Sequence, residues 1–255
     1  MSVARLPLSA VIITLNCIRQ LEACLDSLGP VDEVIVVDSG SDDGTMELAQ
    51  RRGARVIERE WLGFGAQKQH GVEQAGCDWV LCIDADERLS SELRASIVLA
   101  LAAPRFRAYE FARCNRFMGR YLRHGEGYPD WSLRLFDRRA ARWSNDPVHE
   151  KVMTETPVGR LHGDLLHDSA DSLDGYLAKQ NRYTSLAAQA FVAQGRTAHL
   201  GHLLFSPWVR FVKFFFFRLG LLDGVPGLVH TLIGCSNSFI KYAKIFDLQG
   251  RDRTR

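Results

Sequence analysis

The first hundred residues of this 255-residue chain alternate between short apolar runs and segments of helical periodicity. The clearest runs, at residues 8–14, 33–37 and 79–83, are apolar at nearly every position rather than at every second one. Strands of this kind are buried on both faces, which is typical of a parallel sheet covered by helices on each side. A shorter strand is predicted at residues 54–57, and helices are predicted at residues 19–28, 45–52 and 66–75.

Because crossovers between parallel strands are right-handed, this alternation predicts a doubly wound α/β fold. Residues 107–167 change to short aromatic segments with many charges, which indicates mixed strands and loops. A long helix is predicted at residues 172–194, where Gly195 follows a stripe of apolar side chains. We expect one domain over residues 1–170 and a helical region over residues 171–255. The stripe consists of Leu173, Tyr176, Leu177, Tyr183, Leu186, Ala190 and Phe191.

Charge and cysteine content narrow the function classes. The net charge is only +2, so no strong positive field favours nucleic acid, and we expect no such partner. The six cysteines form no CxxC pair and no zinc-type cluster, which indicates free thiols in a reducing compartment. Arg5 and Pro7 interrupt the N-terminus before an apolar core of signal-peptide length can form. We therefore expect a cytoplasmic protein that attaches to a membrane.

The C-terminal section combines aromatic and basic residues. From residue 199 to the end there are eight Lys and Arg against three Asp. Residues 203–222 contain four consecutive Phe at 214–217, with Arg210, Lys213 and Arg218 between the aromatics. A spanning helix needs about 20 apolar residues with few charges, so these cations favour a helix lying in the membrane interface. The alternatives are a core helix or an oligomer contact. Residues 225–242 could pack against it as a hairpin.

Polar side chains follow three of the predicted strands. Thr14 and Asn16 end the first strand, Asp38 the second, and Asp84 with Asp86 the last. In an open α/β sheet, ligands bind at the carboxyl ends of the strands, so these groups are expected to share one edge. Paired carboxylates there suit a hard divalent cation that carries a diphosphate. Taken singly, each motif is also compatible with a surface acidic pair or a capped loop.

Together these motifs resemble the family 2 inverting glycosyltransferases of GT-A fold. The residues concerned are TLN at 14–16, VVDSGSDDGT at 36–45 and IDADE at 83–87. The segments GFGAQK at 63–68 and VHE at 148–150, together with NRY at 181–183 and the basic aromatic tail, are more closely similar to bacterial lipopolysaccharide core β-1,4-glucosyltransferases. The resemblance implies a GT-A fold with a mixed, mainly parallel sheet, followed by amphipathic membrane-associated helices.

The resemblance also implies roles for individual residues. Asp38 would hydrogen-bond the uracil of a UDP-sugar and Asp84 its ribose. Asp86 would bind Mg²⁺ or Mn²⁺ on the diphosphate, and His167 would be a further ligand of the metal or diphosphate. Lys68 would lie near base or phosphate, with a solvated helix lysine as the alternative. The other nucleotide-binding residues that it implies are Thr14, Asn16, Ser39 and Arg182.

The reaction needs a base, because the acceptor hydroxyl loses its proton as it attacks the anomeric carbon. Two carboxylates are candidates, Glu150 and Asp130. Glu150 is preferred, since His149 lies beside it and the aromatics Trp131 and Trp143 suggest a sugar-binding wall.

The expected function is transfer of glucose from UDP-glucose to a lipid-linked saccharide, an inner-core heptose of lipopolysaccharide. The expected location is the cytoplasmic face of the bacterial inner membrane. Transfer to a polyprenyl phosphate is one alternative. A nucleotidyltransferase would carry a glycine-rich loop after the first strand, where residues 15–19 contain no glycine. A non-catalytic membrane-binding module is the third alternative.

Overall fold

The computed structural model describes residues 5–146, 150–168 and 172–253. The chain forms two compact units. The first contains Met1–Cys114 and Asp130–Asp168, and the second contains Asn115–Pro129 and Ser169–Arg255. The second unit therefore includes a short segment from the middle of the chain. The domain boundary expected at residue 170 stays a prediction.

The elements up to residue 84 agree with the predicted strands and helices to within two residues at each end. The continuous apolar runs become strands because neighbouring strands and helices cover both of their faces. The elements are β1 Leu6–Thr14, α1 Ile18–Leu28, β2 Val31–Asp38, α2 Thr45–Arg51, β3 Arg55–Glu58, α3 Phe64–Glu73 and β4 Trp79–Asp84.

The region of mixed strands expected after residue 107 is confirmed, whereas α4 was not among the predicted helices. Ser90 begins α4, because its hydroxyl accepts a hydrogen bond from the backbone N–H of Leu93 at 3.1 Å. The elements are β5 Glu87–Leu89, α4 Ser91–Ala102, β6 Ala108–Phe117, β7 Arg120–Tyr121, β8 Asp130–Asp137, β9 Ala141–Trp143, β10 Val152–Thr154 and β11 Val158–His167.

One large sheet has the strand order β3-β2-β1-β4-β8-β6-β11-β5. The first four strands in this order are parallel to one another. From β4 onwards, β8 pairs antiparallel with β4 and β6 with β8, and β5 pairs antiparallel with β11. The short strands β9 and β10 form a separate ribbon. The predicted mixed sheet with a parallel section is confirmed.

Helices cover both faces of the sheet, as predicted. On one face, side chains of α1, α2 and α4 pack on β1 and β4 in a single core cluster. On the other face, α3 and the β9–β10 ribbon pack on the same strands in a second cluster. Gly71 allows α3 to approach closely, because a β-carbon there would lie 2.4 Å from Cγ1 of Val11.

The second unit is helical in its C-terminal part. The first of its helices, α5 Leu173–Ala193, begins at Ser172, whose hydroxyl accepts from the N–H of Gly175 at 3.1 Å. Then come α6 Leu200–Phe211, a π-helical turn at Val212–Phe217, a 3-10 turn at Gly220–Asp223 and α7 Gly224–Arg253.

The single helix expected across residues 203–222 is wrong. The α-helix ends at Phe211 and passes into the π-helical turn, and Leu219 then adopts a left-handed conformation with φ 57° that no continuous helix allows. The expected hairpin is confirmed, since α6 packs along α7 and the hydroxyls of Ser206 and Ser238 lie 2.9 Å apart.

Apolar side chains of the second unit are unusually exposed. The buried residues of α5 are Thr184, Ala188 and Phe191. Most side chains of the apolar stripe, which was expected to pack inside, therefore face outward. No residue of α6 is buried, and Trp208 exposes 69% of its surface. Phe217 exposes 80%. Among the described residues, none of the helices has the length and apolar character needed to cross a bilayer.

Candidate active site

The polar groups predicted at strand ends do lie at one edge of the sheet. Strand β1 lies between β2 and β4. Thr14 pairs in register with Asp38 on β2, and Ile13 pairs with Asp84 on β4. Three adjacent strands therefore end at the same level, and Thr14, Asp38 and Asp84 are their last residues.

Asp38 is fully buried and organises the loop after β2. One of its carboxylate oxygens accepts from the hydroxyls of Thr14 and Ser41, both at 2.6 Å. The other accepts from the backbone N–H groups of Gly40 at 2.9 Å and Ser41 at 2.7 Å. The carboxylate thus receives four hydrogen bonds from the protein, which fixes the edge against which a nucleotide is expected to bind. Contact of Asp38 with uracil stays a prediction.

Asn16 joins the loops that follow β1 and β2. It has a left-handed backbone with φ 49°, which asparagine tolerates better than most residues. Its N–H donates to the hydroxyl of Ser41 and its Oδ1 accepts from the N–H of Asp42, both at 2.9 Å. Ser39, the next predicted donor-site residue, accepts from the side chain of Gln67 at 2.9 Å. A shallow cavity of about 430 Å³ opens beside Ser39. The loops are therefore preorganised around a recess.

Lys68 is buried rather than solvated, with 1% of its surface exposed. Its Nζ lies 2.9 Å from Oδ1 of Asp84 and 4.9 Å from the ring centre of Trp143. Burial works to raise the pKa of Asp84, but the ammonium of Lys68 and the guanidinium of Arg134 outweigh it and hold that pKa well below its usual value. Asp84 is consequently a carboxylate throughout the neutral range.

A tight turn connects β4 to β5 and presents Asp86. Glu87 closes the turn by accepting from the N–H of Asp84 at 2.9 Å. Strand β5 then pairs with β11, in a register that sets Glu87 opposite His167. As a result, Nε2 of His167 lies 3.2 Å from Oδ2 of Asp86. The two residues predicted as metal ligands are therefore neighbours, although they are 81 positions apart in the sequence.

The donor set at this turn fits a divalent cation carried by a diphosphate. Within the described residues, no three His, Cys, Asp or Glu side chains form a complete metal site. Asp86 and His167 offer one carboxylate and one imidazole, both partly exposed at the sheet edge. Mg²⁺ is usually bound by one or two protein carboxylates while phosphates and water complete its shell, and Mn²⁺ accepts the same oxygen ligands. Their assignment as ligands stays a prediction.

Five charged side chains of alternating sign continue from Asp84 along the sheet, and we call them the ion-pair row. Nη2 of Arg134 lies 3.4 Å from Asp84 and 3.5 Å from Glu87. Arg113 lies 3.6 Å from Glu87 and 2.8 Å from Asp130. Burial raises the pKa of Glu87, although Arg134 works against it. The row joins the predicted donor carboxylate to one of the two predicted bases.

Sequence analysis missed three members of this row: Glu87, Arg113 and Arg134. A signal was present for the two arginines, because each interrupts an apolar strand segment, in YEFAR and SLRLF. Charged residues in such positions are seldom fully buried unless they are paired. The sequence does not say which carboxylate pairs with which arginine, since the partners lie on strands far apart in the chain.

A cavity of about 340 Å³ lies on the side of the sheet where β6, β8 and the β9–β10 ribbon meet. Glu150 lies in its wall, and no hydrogen bond to Glu150 is found among the described residues. The charged residues of the wall are Glu110, Arg113, Arg134, Glu150 and Lys151.

Two tryptophans line the cavity, and they differ in exposure. Trp131 and Trp143 both line it, and the guanidinium of Arg160 lies 4.3 Å from the ring centre of Trp131. Trp143 donates its indole N–H to the sulfur of Cys82 at 3.3 Å, so its ring is held in place. Trp131 is 41% exposed and offers an aromatic face that suits the apolar side of a sugar ring, whereas Trp143 is 4% exposed and belongs to the core beneath the cavity.

The two predicted bases differ in their surroundings. Both Nε and Nη2 of Arg113 donate to Oδ2 of Asp130, at 2.9 Å and 2.8 Å. Because these two hydrogen bonds occupy the lone pairs of Oδ2, that oxygen has little capacity left to accept a proton from a substrate hydroxyl. Glu150 lies in the cavity wall without such a partner among the described residues. The surroundings of the two carboxylates therefore favour Glu150, and its role as the base stays a prediction.

Gly65 brings α3 next to the segment that carries Glu150. A β-carbon at Gly65 would lie 2.5 Å from the carbonyl oxygen of Ser144 and 3.1 Å from Cβ of Glu150. The glycine is therefore needed for the close approach of these two segments.

Two further elements of the sequence prediction lie outside the first unit or outside the described residues. Arg182 is exposed on α5 in the second unit, and its predicted role at the diphosphate stays a prediction. His149, the neighbour that favoured Glu150, lies outside the described residues.

The chain is similar to known proteins over most of its length. The family model described as Glycosyl transferase family 2 matches residues 9–157. The lipopolysaccharide core biosynthesis glycosyltransferase LpsC of Rhizobium meliloti (strain 1021) is 34% identical over 253 residues, which cover 96% of this chain and 93% of that protein. The uncharacterized glycosyltransferase RT0209 of Rickettsia typhi is 31% identical and covers 96% and 89%. Among solved structures, S. aureus TarS 1–349 has a TM-score of 0.49 and 13% identity, with 95% and 91% of the chains covered.

Proposed function

Since the chain belongs to glycosyl transferase family 2 and is a glycosyltransferase, we propose that it transfers a sugar from a UDP-sugar to an inner-core heptose of lipopolysaccharide. The sugar proposed is glucose. A single displacement at the anomeric carbon inverts an α-linked donor and gives a β-linkage. The observation that carries the proposal is the ion-pair row, which links Asp84 at the end of β4 to the cavity that contains Glu150.

The donor side of this reaction is assigned to the ends of β1, β2 and β4. The loop fixed by Asp38 would receive the uracil, and Asp84, kept ionised by Lys68, would accept hydrogen bonds from the ribose hydroxyls. Asp86 and His167 would hold Mg²⁺ or Mn²⁺ against the diphosphate. When bound, such a cation neutralises the negative charge that develops on the leaving diphosphate.

The acceptor side is assigned to the cavity with Trp131 and Trp143. An acceptor ring would stack there, and Glu150 would take the proton from the attacking hydroxyl. Asp130, the alternative base, would instead hold Arg113 in place.

The lipid-linked nature of the acceptor is supported by the likeness to LpsC, which extends over nearly the whole of both chains. It also agrees with the exposed aromatics of α6 and the following turn, which would rest on the membrane surface with Lys213 and Arg218 among anionic headgroups. We place the enzyme at the cytoplasmic face of the inner membrane, where both nucleotide sugar and glycolipid are accessible. An enzyme lying on that plane avoids a three-dimensional search for its acceptor.

The test is a transfer assay with the full-length protein. Labelled UDP-glucose and other UDP-sugars are supplied with a heptose-terminated core glycolipid, with Mg²⁺, with Mn²⁺ or with EDTA. We expect label in the glycolipid only when a divalent cation is present, and NMR of the product should show a β-linkage.

Two outcomes would contradict parts of this proposal. An acid-labile labelled lipid formed from polyprenyl phosphate, without any saccharide acceptor, would replace the heptose acceptor and leave the donor assignment intact. Transfer from the donor at an undiminished rate in EDTA would show that the reaction does not need a divalent metal.

A further inference from the structure

We infer that Arg134 is a positioning residue that holds the carboxylate of Glu150 towards the acceptor hydroxyl. The inference rests on the proposed function, because it takes Glu150 as the base. It adds a residue that neither the strand-end motifs nor the ion-pair row by itself assigns to the reaction.

The first support is an unused hydrogen-bond donor. Arg134 is 7% exposed on β8, and its Nη1 is buried without a hydrogen-bond partner among the described residues. A buried N–H group that lacks a partner is unfavourable, and native structures contain few of them. An unpaired donor on a charged side chain beside a cavity therefore indicates a partner that arrives in another state of the site.

The second support is the direction of the guanidinium. Its Nη2 is directed to Asp84 and Glu87, at 3.4 Å and 3.5 Å. Its planar group lies 5.3 Å from the ring centre of Trp143, which limits its rotation. A guanidinium presents its donors as a rigid fork, so Nη1 is held at a fixed angle to the branch that binds the two carboxylates.

The third support is the set of charges that surround Glu150. The other charged residues of the cavity wall are Glu110, Arg113, Arg134 and Lys151. Arg113 is used by Asp130 and Glu87, and Glu110 is held by Arg160 at 2.6 Å.

Lys151 is exposed, and a lysine ammonium lies at the end of a flexible four-carbon stem. It therefore cannot orient the carboxylate of Glu150 as a buried guanidinium can. Arg134 is thus the cation of the wall that combines burial with a spare donor. The spare donor of Arg134 and the carboxylate of Glu150 complement each other within one cavity.

The test compares the pH dependence of kcat in the wild type and in two variants, Arg134→Gln and Arg134→Lys, with saturating acceptor. The acid limb of this profile reports the base in the enzyme–substrate complex. A neighbouring cation favours the carboxylate form, so its removal in Arg134→Gln should move the acid limb upward by about one pH unit. We expect kcat to fall about 10- to 100-fold in this variant while KM for the donor changes less than about threefold.

Arg134→Lys keeps the positive charge but loses the planar guanidinium, with its fixed arrangement of N–H donors. It should lower kcat about tenfold and leave the acid limb in place. Arg113→Gln is the matched control, since Arg113 belongs to the same row and cavity wall but is committed to Asp130 and Glu87; it should move the limb much less than Arg134→Gln does. In a Glu150→Gln background, either Arg134 variant should add less than a threefold loss, because the two residues act as a unit.

An unmoved acid limb in folded Arg134→Gln would overturn the inference, as would a full further loss in the Glu150→Gln background. If Arg134→Gln does not fold, Arg134→Lys decides, and wild-type kcat in that variant has the same consequence. A wild type that transfers no sugar to a saccharide would count against the proposed function instead, so the two failures are distinguishable.

Discussion

The two units of the chain distribute charged and apolar side chains in opposite ways. The first unit buries Lys68, Glu87 and Arg134, each beside a charge of opposite sign. The second unit leaves Trp208 and Phe217 largely exposed. Replacing buried ion pairs by apolar side chains is often neutral or stabilising, and large exposed apolar patches are rare on soluble monomers. Stability alone favours neither arrangement, which is why we assign the first to donor chemistry and the second to membrane contact.

The largest effect is expected from Asp86→Ala, which tests the role in donor chemistry proposed for the first unit. Loss of the carboxylate should lower transfer by about 10⁴-fold, because the charge on the leaving diphosphate is no longer neutralised. The fold should persist, since Asp86 is partly exposed and closes no ion pair of the ion-pair row. Transfer rates and far-UV circular dichroism are compared with Asp32→Ala, which changes an exposed carboxylate at the start of β2. A variant with wild-type turnover would remove Asp86 from the metal site.

Glu150→Gln should follow, with a fall in kcat of about 10³-fold, in the range typical of a general base. Binding of the donor, measured by isothermal titration, should be unchanged, because the cavity side of the site does not hold the nucleotide. The comparison variant is Asp130→Asn, which frees Arg113 and should reduce kcat by a smaller factor. If Asp130→Asn is the more damaged of the two, the assignment of the base reverses.

Lys68→Met tests whether the buried charges of the first unit depend on one another. Removing the ammonium leaves the partly buried Asp84 with Arg134, at 3.4 Å, as its remaining cation and should reduce the free energy of unfolding by about 3–5 kcal/mol. Urea unfolding measures the change, and Lys151→Met, at an exposed lysine, is the control and should change it by less than about 0.5 kcal/mol. A loss below about 1 kcal/mol in Lys68→Met would mean that water or rearrangement compensates for the missing ammonium.

The same variant has a pH signature. The pKa of Asp84 is depressed in the folded state, so its stabilising contribution is present above the ordinary pKa of 3.8 and is lost as the pH falls below that value. The free energy of unfolding of the wild type should therefore fall more steeply than that of Lys68→Met as the solution is acidified below about pH 4. Parallel curves would show that Lys68 does not control the pKa of Asp84.

The smallest expected effect concerns the exposed aromatics. Replacing Trp208 and Phe217 together by Ser should weaken binding to vesicles of anionic lipid by about tenfold or more, since each ring contributes apolar area to the interface. Leu99→Ser is the control, because Leu99 is 74% exposed on α4 in the first unit. Equal sedimentation of both variants with vesicles would refute membrane contact through the second unit.

The strands of the parallel section, though not their order in the sheet, could be anticipated because their signals are local. Continuous apolar runs followed by turns give β1, β2 and β4, and the right-handed crossover rule brings their ends together. Asp84 and Asp86 follow from their position after β4. The proximity of His167 to Asp86, in contrast, depends on the pairing of β5 with β11, which is decided by contacts 80 residues apart, as between Glu87 and His167.

The second unit was less predictable for physical reasons. The helical period of α5 was correct, but its buried face is set by packing on α7 and not by hydrophobicity alone, so Leu173 and Leu177 face outward. Leu219 breaks the expected long helix without being a glycine. Nothing in residues 115–129 signals that they belong with the helices rather than with the sheet.

Gly65 controls how closely two segments of the candidate active site approach each other. Helix α3, which carries Lys68, and the segment of Ser144 and Glu150 are kept at their separation by the absence of a methyl group between them. A substitution as small as Gly65→Ala would push these segments apart and move Glu150, the proposed base, away from Asp84, the proposed ribose-binding carboxylate. The spacing between the proposed donor and acceptor sides of the site thus depends on a residue that has no side chain.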